Sequence, residues 1–218
     1  MAGEKEQRNR FYDAVERKNR CEHKDAVIRP ILEAIPIRHP KRFRSIIMPC
    51  AHAPELKILG GAGVPPKNIV AIERDVAIWK LIKDSLNLEV GSAPMDANAR
   101  MDHIQAEHPE GFDLIYLDFY GQVNYTHLEI FEKIMALRML RPGARLILNF
   151  ARGRANTKDA DLNHMVVKRS RCVVPTQIYL EAARKMYKHR KPTLMKDHEY
   201  KSTVGRAEFT YVTTEAMF

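Results

Sequence analysis

Cysteine is scarce in this chain of 218 residues: Cys21, Cys50 and Cys172 are the only three, and they lie far apart. An odd, scattered set argues against a disulfide framework and a thiolate zinc site, and it suits a reducing compartment. Long apolar runs are missing as well. None approaches the roughly 20 residues that a membrane-spanning helix needs. The polar start Met1-Ala2-Gly3-Glu4-Lys5-Glu6-Gln7-Arg8 has no signal-peptide core. A cytoplasmic protein with no membrane partner is therefore expected. The nine histidines fall at no ligand spacing, so no metal site is expected either. Internal repeats, low-complexity tracts, zinc fingers and RNA-binding-sheet signatures are absent.

What is present is a regular alternation. Three short apolar runs, Ser45 to Ala51, Asn68 to Glu73 and Phe112 to Asp118, are separated by helix-like segments. Each run ends in an acidic residue or a small-residue turn. The pattern reads as β-α-β-α with carboxylates at strand ends, where a doubly wound sheet binds its ligands. Leu88 to Ala93 is a weaker strand, Arg141-Pro142-Gly143 a turn, and Ala144 to Phe150 a fifth strand. Glu199 to Val204 and Glu208 to Thr214 form a terminal antiparallel pair. Upstream, residues 5–20 and Lys24 to Ala34 look helical. The second segment has Ala26, Val27, Ile31 and Leu32 as its apolar face, and Pro30 either kinks it or caps a shorter helix. Residues 1–44 are thus expected as a helical extension and 45–218 as one α/β domain.

Charge is unevenly spread. Residues 1–46 hold 12 Lys/Arg against 7 Asp/Glu, residues 47–150 hold 10 against 13, and residues 151–218 hold 14 against 7. A mildly acidic sheet lies between basic flanks, which suits a polyanionic substrate. Within the basic segment 151–191 the cations cluster as Arg152 and Arg154, then Lys168, Arg169 and Arg171, then Arg184, Lys185, Lys188 and Arg190. Such side chains contact phosphates without reading sequence. The interleaved Tyr179 and Tyr187 could stack on unpaired bases. The other reading of this charge is a solubilising surface.

Five strands with alternating helices and a final strand pair resemble the class I S-adenosylmethionine-dependent methyltransferases, over roughly Ser45 to Phe218. The resemblance implies a Rossmann-like α/β fold: a mostly parallel sheet with an antiparallel last strand. It also implies S-adenosylmethionine as cofactor. In that family an acidic residue ending strand 2 binds both ribose hydroxyls, and Glu73, followed by Arg74, matches it. A carboxylate is an acceptor-only group that can take two hydroxyl donors. An acidic residue after strand 3 meets the adenine in the family, and Met95-Asp96-Ala97 resembles it. Asp96 is equally a good N-cap for the next helix. Asp118-Phe119-Tyr120-Gly121 is similar to the Asp-Pro-Phe-Gly turn of the tRNA guanine dimethyltransferases, with Phe119 in place of the proline. There Asp118 and Tyr120, flanked by Phe119, would orient an exocyclic amine toward the methyl group, chiefly by positioning. Phe119 and Tyr120 as core aromatics is the other reading.

The chain departs from the family at the cofactor loop. Pro49-Cys50-Ala51-His52-Ala53 replaces a glycine-rich turn, and alanine takes positive φ less readily than glycine. The same gap excludes a nicotinamide dehydrogenase fingerprint. Three readings stay open: a divergent methyltransferase, an altered use of the cofactor such as its cleavage, and a catalytically dead binding subunit. The leading expectation is methyl transfer to a base nitrogen of DNA or RNA. A non-catalytic nucleic-acid-binding protein and a small-molecule methyltransferase are the alternatives.

Overall fold

A computed structural model of the chain describes residues 25–49, 53–73, 76, 79–80, 82–83, 97–119, 125–152, 193–204 and 207–218. For residues 97–99, 125, 128, 150–152, 193–204 and 207–216 it describes the backbone alone. The expected helix over residues 5–20 and the weak strand at Leu88 to Ala93 lie outside the described residues.

The strands are β1 (Ser45–Ile47), β2 (Ile69–Ala71), β3 (Phe112–Asp118), β4 (Leu140–Arg152), β5 (Thr193–Val204) and β6 (Ala207–Met217). They form one sheet in the order β2-β1-β3-β4-β6-β5. The first four are parallel, β6 runs antiparallel to β4, and β5 pairs antiparallel with β6. This is the mostly parallel sheet with an antiparallel last strand that the resemblance implied.

Period-two alternation in apolar strands feeds two cores, one on each face of the sheet. Ile46, Ile115, Leu117, Leu146 and Leu148 pack with Met101 and Ile104 of α3 (Ala97–Glu107) and with Ile130, Phe131 and Ile134 of α4 (Tyr125–Ala136). Their neighbours Ile47, Leu114, Tyr116 and Ile147 point the other way. They meet Ile28, Ile31 and Leu32 of α1 (residues 25–33) and Leu56 and Leu59 of α2 (Pro54–Gly61). Each fully buried Leu or Ile contributes about 1.5–3 kcal/mol. α1 therefore belongs to the same core as the sheet. Its buried face differs from the sequence expectation: Ile28 is buried, Ala26 is exposed, and the helix runs through Pro30.

A second difference concerns Arg141-Pro142-Gly143. These residues do not precede the strand; they form a bulge inside β4. The pairing passes from Phe112 with Leu140 directly to Leu114 with Arg145. Gly143 takes φ +79, and its N–H donates to the Phe218 carbonyl, while Phe218 N–H donates to Ala144. The bulge aims Arg141 at the amino ends of the strands. There Arg141 Nη1 donates to Asp113 Oδ2 at 2.7 Å and Nε donates to the Glu110 carbonyl at 3.0 Å. The Arg44 N–H reaches the same Asp113 oxygen at 2.8 Å. Arg44 also pairs with Glu110 and contacts His108 Nδ1. The amino edge of β1, β3 and β4 is thus closed by a polar lock.

Two helices end in the same way. Gly63 N–H bonds Gly60 and Val64 N–H bonds Leu59, a paired closure with Gly63 at φ +82. At the end of α4, Arg138 N–H bonds Met135 and Met139 N–H bonds Ile134, but here a side-chain residue holds φ +53. Arg138 is exposed, so Arg138→Gly should raise stability by about 1 kcal/mol. Gly111 is the opposite case. It has φ +76, and an added Cβ would sit 2.9 Å from the Met139 carbonyl oxygen. Gly111→Ala should cost about 2 kcal/mol, lowering Tm by roughly 5 °C. Thermal unfolding of the two variants beside the parent checks both signs.

Candidate active site

The chain leaves β1 for β2 on one side and returns to β3 on the other. Such a reversal is where open sheets form their ligand-binding crevice, here past the carboxyl ends of β1 and β3. One rung of the sheet pairs Ala71, Ile47, Tyr116 and Ile147. Two residues further along each strand path come Glu73, Pro49, Asp118 and Asn149. With strands about 4.8 Å apart, Glu73 and Asp118 are separated by two strand spacings, roughly 10 Å.

Pro49 is buried, and Met48 N–H extends the ladder to Tyr116 at 2.9 Å. Cys50, Ala51 and His52 lie outside the described residues. Ala53 is described and is the N-cap of α2, with φ 40 and ψ 52. The glycine-rich turn is missing, yet the left-handed conformation that glycine would adopt is held by alanine, at a cost of about 1–2 kcal/mol. Packing outweighs that cost: Ala53 is buried among Leu56, Leu59 and Ile47. Its carbonyl accepts from Leu56 and Lys57 to begin the helix. The α2 N-terminus therefore starts directly at the crevice, where its dipole favours an anionic group. Glu55, in the first turn, is fully buried.

Ile72 N–H bonds Ile47 at 2.9 Å and buries its side chain, which leaves Glu73 half-exposed just past β2. Arg74, Met95 and Asp96 lie outside the described residues. Ala97, which follows Asp96 in the chain, is described within α3.

Asp118 ends β3, half-exposed. Its Oδ1 accepts from Asn149 Nδ2 at 2.5 Å. The next residue, Phe119, turns to the opposite face. It is 5% exposed, belongs to the α3/α4 core, and stacks on the His127 ring at a centroid distance of 4.2 Å and an angle of 28°. Phe119 thus supports the turn from within the core, while Tyr120 lies outside the described residues. Of the basic clusters, Arg152 is the last residue of β4, its backbone in register with Thr210. Arg154, Lys168, Arg169, Arg171, Arg184, Lys185, Lys188 and Arg190 lie outside the described residues. Among the described residues no group of three or more His, Cys, Asp or Glu could hold a metal ion, and no helix is long and apolar enough to cross a membrane.

Sequence reasoning missed Asn149 and His127. Asn149 had a visible signal, a polar residue between Leu148 and Phe150 in an apolar run. His127 had none, because its role depends on a ring three-dimensionally beside it.

No protein-family model and no curated protein matches the chain. Solved structures do. The [4+2]-cyclase SpnF is 14% identical with a TM-score of 0.51, over 86% of this chain and 78% of its own. An O-methyltransferase from Bacillus cereus in complex with SAH is 17% identical, with a TM-score of 0.47 over 86% and 79%. An rRNA methylase from Streptococcus thermophilus is 14% identical, with a TM-score of 0.46 over 87% and 93%. Strand order, the parallel set β2-β1-β3-β4 and the antiparallel β6 define a Rossmann-like α/β fold, shared with SpnF.

Burial holds the His127 pKa down at about 4, against an ordinary 6.5. A depressed base stabilises the fold fully above pH 6.5, and that contribution is lost as pH falls toward 4. Between pH 7 and pH 4, His127 should therefore cost on the order of 2 kcal/mol. Urea midpoints of the parent and of His127→Phe across this range check it: the variant should show the shallower acid decline.

Proposed function

We propose that the chain is an S-adenosylmethionine-dependent methyltransferase acting on a base nitrogen of a nucleic acid. The observation that carries this reading is Asp118. It is a carboxylate at the carboxyl edge of the switch-point strand, held by Asn149 and level with Glu73 across the crevice. The residues present suit the cofactor: an acceptor-only carboxylate at the end of β2 for a ribose diol, and a helix N-terminus at the end of β1 for a carboxylate.

Glu73 would hold the ribose, with Arg74 beside it. Met95, Asp96 and Ala97 would meet the adenine. Pro49, Cys50, Ala51, His52 and Ala53, with the start of α2, would take the methionine end. When bound, the cofactor supplies a methyl group already activated on a sulfonium sulfur, so the protein need not activate it further. The protein's own task is to orient the acceptor. Asp118 accepts the N–H of an exocyclic amine, turns its lone pair toward the methyl group and can hold the departing proton. Tyr120 flanks the base. The basic segment containing Arg152, Arg154, Lys168, Arg169, Arg171, Arg184, Lys185, Lys188 and Arg190 would draw in the phosphate backbone. DNA and RNA remain equally suited to that charge.

Calorimetric titration with S-adenosylmethionine and S-adenosylhomocysteine should give micromolar binding. Glu73→Ala should weaken it more than tenfold, about 1.4 kcal/mol; unchanged affinity removes Glu73 from the site. With methyl-labelled cofactor, label should pass to total RNA or to sheared DNA, steeply less at high salt. Asp118→Ala should abolish transfer and leave cofactor binding intact. A folded protein that binds nucleic acid but neither cofactor form would instead be a non-catalytic binder.

A further inference from the structure

Asn149 is fully buried at the carboxyl end of β4, in register with Asp118. Alternation along the strand puts its side chain on the same sheet face as Ile147, and puts Asp118 on the same face as Tyr116. That is the face on which Ala53 and α2 pack. Among the described residues Asn149 makes two contacts with the acceptor turn. Its backbone carbonyl accepts the Phe119 N–H at 3.0 Å, and its Nδ2 donates to Asp118 Oδ1 at 2.5 Å. The amide orientation follows from chemistry, since only the nitrogen end can donate to a carboxylate.

A fully buried amide costs about 1–3 kcal/mol wherever its hydrogen bonds are not made. Leu146, Ile147 and Leu148 show that this part of β4 otherwise packs apolar side chains. Asp118 itself is half-exposed and could be solvated by water, so its own burial does not require a buried donor. The buried donor does something water cannot: it fixes the direction in which the carboxylate faces.

We propose that Asn149 is a positioning residue, holding the Asp118 carboxylate and the Phe119 backbone in one fixed geometry so that Asp118 meets the acceptor amine. The inference rests on the methyl-transfer reading. A carboxylate can accept several hydrogen bonds at once, so the contact with Asn149 leaves it able to act on an acceptor. A hydrogen bond to the charged form also favours that form. It keeps Asp118 an acceptor rather than a hydroxyl donor that would oppose an amine N–H.

The test has two independent readouts on Asn149→Leu, with Asn149→Ser as a donor-retaining variant. First, carboxyl carbon NMR titration of Asp118 needs no substrate. The midpoint should rise by at least one pH unit in Asn149→Leu and by less in Asn149→Ser. Second, with labelled S-adenosylmethionine and whichever of total RNA or sheared DNA the parent methylates, kcat should fall at least thirtyfold in Asn149→Leu. KM for S-adenosylmethionine should stay within threefold, and the acid limb of the pH profile should move upward. Asn149→Ser should recover part of both. If the leucine variant does not fold, the serine variant alone decides, with a smaller shift and loss of the same sign. An unmoved Asp118 titration overturns the inference. So does a parent that methylates beside an Asn149→Leu variant with unchanged kcat and acid limb; methyl transfer itself would then stand. A parent that transfers no label fails the methyl-transfer reading, and with it the role given to Asn149, even if the titration moves.

Discussion

The parallel register of β1, β2, β3 and β4 is the constraint on which the candidate site depends. Ala71, Ile47, Tyr116 and Ile147 share one rung, and the apolar side chains on either side lock it. A slip of one residue on any strand would move its whole apolar set to the wrong face. Because that slip is blocked by two cores at once, the residues two positions further on arrive at a common level without needing contacts of their own. Glu73 and Asp118 therefore stand at one level of the sheet because Ile46, Ile47, Leu114 and Ile115 are buried below them.

The two edges of the sheet divide the work. At the amino edge, Asp113, Arg141, Arg44 and Glu110 satisfy one another, with the β4 bulge presenting Arg141 to the strand ends. At the carboxyl edge the described polar groups include Glu73, Asp118 and Asn149. Ala53 keeps a left-handed backbone there without glycine, and Asn149 places a donor against Asp118. Ala53 and Asn149, a strained backbone and a buried amide, both lie at the edge where sheets of this topology bind ligands, a usual place for local rules to be broken.

Much of this was readable in the residues. The strand runs ending in Glu73 and Asp118 are local patterns, and the strands appear within them. Alanine at position 53 was legible as a departure. That it would still adopt positive φ was not, because neighbours decide it: Leu56, Leu59 and Ile47 close around a backbone that the isolated turn would avoid. Pro142-Gly143 read as a turn by composition; pairing across to Phe112 and Phe218 absorbed it into a strand. Phe119 is the sharpest case. The residues left two readings, a flank of the acceptor turn and a core aromatic, and alternation across the strand end decides for the α3/α4 core against His127.

Local composition and periodicity settled the class of fold, the sites of the strand ends and the unequal spread of charge, since each depends on residues close in sequence. The pairing of Asp118 with Asn149, the side to which Phe119 turns and the depressed basicity of His127 join residues far apart along the chain. They exist only once the sheet has brought β3 and β4 together and α4 has closed over them, because hydrogen bonds, ring stacking and desolvation act over a few ångströms of space rather than along the sequence.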